Sequence, residues 1–144
     1  MTRAADASPT SGTWTLVYDH GCGVCRVIAA GVLVADRNRR LVPLALGDAR
    51  AAQALGSIDP ARWDRSWHLV TPGGRVHSAG GAVPVLCGLL PGFGVLGGLC
   101  RAAPDVTERV YAWLVRHRAG IGRRIPRRLV ARATIALAER SGRA

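Results

Sequence analysis

The sequence contains no lysine, so its positive charge comes from arginine alone. Its 20 arginines outnumber 9 acidic residues and give a formal net charge of +11. Together with the heavy use of Ala, Gly and Val, the missing lysine indicates a base-composition habit of the source genome rather than a functional choice. Seven arginines and only one acid fall in residues 119–144, so this segment is the most basic part of the chain.

Several kinds of motif are also missing. No Ser-His-Asp spacing, phosphate-binding loop or paired-carboxylate motif is evident, and there are no internal repeats. Residues 1–13 contain no apolar run, so no signal peptide is predicted and we expect a cytoplasmic protein. Thiols stay reduced in the cytoplasm, where a CxxC pair is more often catalytic or metal-binding than structural.

The composition predicts one globular domain. The chain has 144 residues, of which 49% are hydrophobic and 20% charged, enough to bury a core without disulfides. We expect a disordered leader over residues 1–12, a folded domain over 13–118 and a basic, helical C-terminal tail over 119–144.

Residues 79–100 carry no charge, and this run is long enough to cross a bilayer. Glycines and two prolines interrupt it, with Pro91 and Gly92 at its middle. This pattern favours two short buried helices joined by a turn at residues 91–94, and membrane contact is the alternative.

The remaining elements follow from apolar patterns and their breakers. Pro43 places the second strand near an edge, Asp48 caps the second helix, and Pro72 with Gly73 suits the centre of a type II turn. In chain order the pattern predicts a strand at 14–19, a helix at 23–37, a strand at 41–46, a helix at 48–55, a hairpin at 66–78, the two helices of 79–100, and a helix from Pro104 marked by Val106, Val110, Trp113, Leu114 and His117.

This element order predicts an α/β fold of the thioredoxin-like type. A right-handed crossover joins a parallel pair of strands, and an antiparallel hairpin extends the small mixed sheet, with helices on its sides. Within this plan the CxxC motif of Cys22 and Cys25 falls where the first strand ends and the first long helix begins.

That position favours thiol chemistry. A helix N-terminus has unpaired N–H groups and a partial positive charge, so a cysteine placed there becomes a thiolate more readily. Cys25 lies one turn further on and can close a disulfide with Cys22. We therefore expect Cys22 to be the exposed attacking thiol and Cys25 to be a largely buried resolving thiol with a higher pKa.

Two flanking residues fit this interpretation. His20, if protonated, favours a thiolate at Cys22, and Arg26 adds a positive charge beside Cys25. The alternative for each is a residue that simply faces water.

Other uses of the two cysteines are weaker. Haem attachment needs a histidine directly after the second cysteine, where Arg26 stands, so it is excluded. A zinc module using Cys22, Cys25 and His20 with the distant His77 or Cys87 stays open as an alternative, although no second CxxC exists. Plain structural roles are expected for Cys87, Cys100, His68 and His77.

The chain also resembles a known family. Tyr18, Asp19, Cys22 and Cys25 match a motif of the form YDGxCxxC, which names the DCC family of predicted thiol-disulfide oxidoreductases. The resemblance continues through "VHSAGGA" at 76–82 and ends at "YAWLVRHR", where Tyr111 and Arg118 keep the family's seven-residue offset. His20 stands where the family usually has glycine, and Gly21 where an acidic residue often precedes the cysteine.

The resemblance implies a thioredoxin-like thiol-disulfide oxidoreductase, with Tyr18 and Asp19 as motif residues that support the two cysteines. His20 and Arg26 are expected to support them from their own chemistry, and no cofactor or metal is expected because the cysteines carry the electrons. Its expected partners are a disulfide-containing protein or small-thiol substrate and a cellular thiol reductant. Thioredoxins place a cis-proline opposite their CxxC, whereas this chain offers Ser66.

The tail gives a third, non-enzymatic interpretation. Residues 126–140 predict a basic helix with apolar residues at Leu129, Val130, Ala133 and Leu137. We expect this side to pack on the domain, and an interaction module in weak contact with an anionic membrane surface is the alternative. No aromatic residue in the tail can stack on bases, so no specific nucleic-acid partner is predicted.

Overall fold

The structure is a computed structural model that describes residues 12–142. Most of the leader predicted at 1–12, namely residues 1–11, lies outside the described residues, as do residues 143–144 at the end of the tail.

Four strands form one mixed sheet. They are β1 (Trp14–Tyr18), β2 (Leu41–Ala45), β3 (His68–Val70) and β4 (Val76–Ser78). Their order is β2-β1-β3-β4, with β1 and β2 parallel and the other two neighbouring pairs antiparallel. This is the thioredoxin-like arrangement that the element order predicts. Pro43 lies on the edge strand β2, as expected from its missing N–H.

Within the described part of the chain, six α-helices and one short 3-10 helix surround the sheet. The α-helices are α1 (Gly23–Ala35), α2 (Ala49–Ala54), α3 (Ala79–Leu89), α4 (Gly94–Ala102), α5 (Pro104–Arg124) and α6 (Arg127–Ser141). The 3-10 helix, Pro60–Arg65, is an element that the sequence pattern does not predict, although the side chain of Asp59 caps it by accepting a hydrogen bond from the Ala61 N–H.

The core lies on both faces of the sheet because neighbouring residues of a strand point to opposite sides. Leu16 belongs to the larger cluster, which is shared with α1, α3 and α6. Val17, the next residue of β1, belongs to a smaller cluster completed by α2. The central strand β1 is thus anchored on both faces, which fixes the position of the loop that follows it.

The hairpin between β3 and β4 has a different turn from the predicted one. Thr71 accepts a hydrogen bond from the Gly74 N–H at 2.9 Å, and the residue with positive φ is Gly74, at 86°, rather than Gly73. A type II turn needs the positive φ at Gly73, so that prediction is wrong. The loop is a three-residue connection in which Gly74 takes the left-handed position, which twists in the same sense as the strands.

Residues 79–100 form the two short helices predicted, α3 and α4, with a turn between them. The expectation that both are buried is wrong for α4, because Val95 is 80% exposed and Leu99 is 62% exposed. Among residues 12–142, no helix is long and apolar enough to cross a membrane.

The predicted tail joins the folded body. The boundary expected between residues 118 and 119 falls inside α5, and α6 packs against α1 and β2. Ala133 and Leu137 are buried in the larger core cluster. Arg140 donates a 2.6 Å hydrogen bond to the buried carboxylate of Asp36, at the end of α1. The predicted packing of α6 on the domain is therefore confirmed for Ala133 and Leu137, whereas Leu129, which was expected on the same side, is 45% exposed.

Candidate functional site

A short loop carries the chain from β1 into α1 and sets the position of the first cysteine. The Asp19 carboxylate accepts a hydrogen bond from the Gly21 N–H at 2.9 Å, and the Asp19 carbonyl accepts one from the Cys22 N–H at 3.3 Å. Cys22 then has an extended backbone and is the N-cap residue of α1. The sequence placed the motif at this junction, and the structure puts Cys22 at the very start of the helix.

The sulfur of Cys22 takes the role that an oxygen usually has at a helix start. Its Sγ accepts a hydrogen bond from the Cys25 N–H at 3.3 Å. The first turn of α1 contains no acidic residue, so the positive end of the helix faces this sulfur alone. A sulfur in such a place is where the helix favours an anion.

Cys25 lies one turn inside α1, and its thiol has a different environment. Burial, the hydrogen bond with Cys22 and the charge of Cys22 together raise the pKa of Cys25 to about 12. Arg118 acts in the opposite direction and lowers the pKa of Cys25. Both cysteines are only partly buried, so the expectation that Cys25 is largely buried is wrong in degree.

The side chains of His20 and Arg26 contact other parts of the fold. His20 is exposed, and its ring lies so close to Gly47 that a Cβ there would be 2.8 Å from the ring carbon Cε1. Arg26 turns toward α6, where its Nη1 donates a hydrogen bond to Oγ1 of Thr134 at 3.1 Å. Arg26 is therefore engaged in packing rather than simply facing water.

Tyr18 and Asp19, the other two predicted supporting residues, lie beside Cys25. Burial raises the pKa of Tyr18, and Arg26 partly offsets this rise. A 3.7 Å ion pair joins Asp19 to Arg118 on α5. The cation that balances this side of the site is thus Arg118 rather than Arg26.

Besides Arg118, helix α5 supplies Tyr111 to the site, a residue that the sequence motifs around the cysteines did not indicate. The hydroxyl of Tyr111 accepts a hydrogen bond from the Trp67 N–H at 3.1 Å, and burial raises the pKa of Tyr111 to about 12, with Cys25 contributing to the rise. Tyr111 and Arg118 are two helical turns apart and share one face of α5. The sequence signal for them was the seven-residue offset of the family resemblance, which gave no role for either residue.

The face of α5 that meets the domain contains Leu114 of the predicted apolar stripe but not the other four residues of that stripe. Val106, Val110 and Trp113 of that stripe are all more than half exposed. The face carrying Tyr111, Leu114 and Arg118 instead borders a cavity beside the thiols.

This cavity, which we call the α1–α5 cavity, has a volume of about 240 Å³. Its wall comes from β1, α1, α3, α5 and the residues before β3, and Cys25 is part of it. Ten of its lining side chains are aliphatic residues or tryptophan: Leu16, Val24, Ile28, Ala29, Val32, Trp67, Val83, Leu86, Leu114 and Val115. An apolar space therefore reaches the thiol of Cys25, which explains why that thiol is not fully buried.

The other cysteines and histidines considered as metal ligands belong to other parts of the fold. Cys87 is buried in α3, as expected for a small core residue, and Cys100 is partly buried in α4. His68 is 1% exposed, and its ring bonds the Ser78 hydroxyl and the Trp63 carbonyl. Within residues 12–142, no group of three or more His, Cys, Asp or Glu side chains is placed to hold a metal ion.

Comparisons of the chain with protein-family models, with curated proteins and with solved structures find no match. What the site can do is therefore inferred from its own residues.

Proposed function

We propose that this protein is a thiol-disulfide oxidoreductase that works through Cys22 and Cys25. The observation that carries the proposal is the asymmetry of the pair. Cys22 caps α1 and its sulfur accepts the Cys25 N–H, while Cys25 is held as a thiol by burial and by its neighbour. Disulfide exchange needs one thiol ready to attack and a second one held in reserve.

The first step uses Cys22. Its thiolate attacks one sulfur of a substrate disulfide, which forms a mixed disulfide and releases the other substrate sulfur as a thiolate. Because Cys22 is the N-cap residue, this sulfur lies at the start of α1, where it accepts the Cys25 N–H.

The second step uses Cys25. Formation of the mixed disulfide removes the negative charge of Cys22, one of the causes that hold the pKa of Cys25 high, while the opposing charges of Arg118 and Asp19 remain. The proton of Cys25 passes to the thiolate released in the first step. The Cys25 thiolate then attacks Sγ of Cys22, and the second substrate thiol leaves with a proton from water.

The balance of the reaction closes without a cofactor. The two enzyme thiols are oxidised to one disulfide, and one substrate disulfide is reduced to two thiols. A cellular dithiol or monothiol reductant returns the enzyme to its starting state, which requires a reducing compartment such as the cytoplasm.

The resemblance to the DCC family supports the same assignment. Its motif residues Tyr18 and Asp19 lie beside Cys25, and its distant pair Tyr111 and Arg118 lies there too. Four positions that are up to 100 residues apart in the chain thus meet at the proposed couple, which is what a functional motif requires.

The proposal is tested by trapping. Cys25→Ser should accumulate a mixed disulfide between Cys22 and a disulfide substrate, visible on non-reducing electrophoresis, since no thiol remains to resolve it. Cys22→Ser should trap nothing and lose reductase activity. Cys87→Ser is the matched control and should behave as the wild type. Full reductase activity in both single variants would exclude the pair as the catalytic couple.

A further inference from the structure

The α1–α5 cavity has the properties of a binding site for an apolar group. An engineered cavity of about 150 Å³ lined by Leu, Ile and Phe stays dry and binds benzene. The α1–α5 cavity is larger, at about 240 Å³, and its wall is also mainly aliphatic. It therefore has room for a group between a phenyl and a naphthyl ring in size.

The cavity can be reached from solvent. Ile28, which belongs to its wall, is 45% exposed, so the apolar lining continues to the surface of α1. A bulky side chain that is both exposed and continuous with an empty apolar space is typical of the mouth of a ligand site rather than of a packing defect.

The polar residues of the wall limit the charge of a ligand. Arg118 and Asp19 both border the cavity, but they are paired with each other at 3.7 Å. Their charges cancel, so a ligand gains little from carrying a charge of either sign. The site thus favours a neutral ligand.

The position of Cys25 connects the cavity with the chemistry. Cys25 is in the wall, and its backbone N–H donates to the sulfur of Cys22. Cys22 is not part of the wall, so a group seated in the cavity lies beside Cys25 and one residue contact away from the sulfur of Cys22. A disulfide whose organic substituent filled the cavity would have its S–S bond at the couple.

We propose that the α1–α5 cavity selects the substrate, and that the substrate is a neutral disulfide carrying an aromatic or branched aliphatic group. This inference rests on the proposed function. The group enters the cavity, Cys22 attacks the sulfur that carries it, and the polar half of the substrate leaves as a thiolate and takes up a proton. Cys25 then attacks Cys22 and releases the apolar thiol, and an added dithiol reduces the resulting enzyme disulfide.

Two neutral disulfides that differ in one substituent test the selection. They are benzyl 2-hydroxyethyl disulfide and bis(2-hydroxyethyl) disulfide, with dithiothreitol as reductant. We expect kcat/KM of the wild-type protein to be at least about tenfold higher for the benzyl compound, the range seen when small apolar groups fill a pocket. Equal values for the two compounds would overturn the inference.

A matched pair of substitutions on α1 assigns the preference to the cavity. Val32 lines the cavity, whereas Val34 is 79% exposed on the same helix. Val32→Phe fills part of the space and should bring the ratio of the two kcat/KM values close to one. Val34→Phe should keep the wild-type ratio. Retention of the benzyl preference in folded Val32→Phe would also contradict the inference.

A binding measurement without any reducible bond separates this inference from the proposed function. Benzyl methyl sulfide carries the same apolar group and should raise the Tm of the wild-type protein, because it binds the folded state. If Tm rises but neither disulfide is reduced, the proposed oxidoreductase function fails and the apolar binding site stands. If both disulfides are reduced equally and Tm does not change, the substrate inference fails and the oxidoreductase function stands. The kinetic and Tm measurements on the wild-type protein distinguish these outcomes even if Val32→Phe does not fold.

Discussion

Arg140 should be one of the most important charged residues for stability, although it lies near the end of the chain. Its Nη2 donates to the carboxylate of Asp36, whose side chain is fully buried and also accepts the N–H groups of Arg40 and Leu41. Arg140→Met keeps the apolar stem of the side chain but removes the cation. A buried carboxylate is then left without its counter-charge.

The size of the effect follows from the surroundings of Asp36. Removing one partner of a buried ion pair costs about 3–5 kcal/mol. The two backbone N–H groups remain, and Arg140 is itself 17% exposed, so we expect the lower end, about 3 kcal/mol. With a urea slope of about 2 kcal/mol per molar, the unfolding midpoint should fall by roughly 1.5 M.

The assay is equilibrium unfolding in urea, followed by tryptophan fluorescence. Arg132→Met is the matched control, because Arg132 is exposed on the same helix, and its effect should stay within about 0.5 kcal/mol. Adding Asp36→Asn to Arg140→Met removes the unpaired charge and should recover part of the loss. An Arg140→Met midpoint equal to that of Arg132→Met would refute the reasoning and would mean that α6 is not held by this pair.

Two further predictions concern the hairpin and the second thiol. Gly74→Ala should lower the free energy of unfolding by about 1 kcal/mol in the same urea assay, because φ is positive at Gly74. Gly73→Ala is the control and should change this free energy little. A larger loss for Gly73→Ala than for Gly74→Ala would instead support a type II turn. In a variant whose only thiol is Cys25, with serine at the other three cysteine positions, burial should still keep its pKa raised. The thiol should therefore stay largely protonated at about pH 10, and its alkylation by iodoacetamide should still rise above that pH. An ordinary thiol, with a pKa of about 8.5, would reach its plateau near pH 10.

Much of the fold could be predicted because it depends on local signals. The apolar run of β1, the edge position of Pro43 and the cap at Asp48 each act within a few residues, and together they define the strand order. The prediction of a type II turn was wrong because either Gly73 or Gly74 of residues 72–74 can adopt the positive φ. Which of the two adopts it depends on how β3 pairs with β4.

The site could be predicted only in part, because some of its features depend on contacts between distant segments of the chain. The position of Cys22 at the helix start follows from the strand-to-helix order alone. The role of Arg118 and the partial exposure of Cys25 depend on how α5 packs against α1. The predicted stripe identified this face only at Leu114, because Val106, Val110 and Trp113 are exposed. Arg26 turned to α6 because that helix packs beside α1, a contact with no local signal in the sequence.

The most direct test of the central claim is a redox titration read out by peptide mass. The wild-type protein is equilibrated in two sets of redox buffers, one of oxidised and reduced glutathione and one of oxidised and reduced dithiothreitol, so that oxidising and reducing potentials are both covered. It is then acid-quenched, alkylated and cut with trypsin. Cleavage at arginine separates the two cysteine pairs, since Cys22 and Cys25 fall in peptide 4–26 and Cys87 and Cys100 in peptide 76–101. We predict that peptide 4–26 converts reversibly between a doubly alkylated form and an internal disulfide, with a two-electron midpoint, while peptide 76–101 stays alkylated. A peptide 4–26 that remains doubly alkylated at every buffer ratio would contradict a Cys22–Cys25 redox couple.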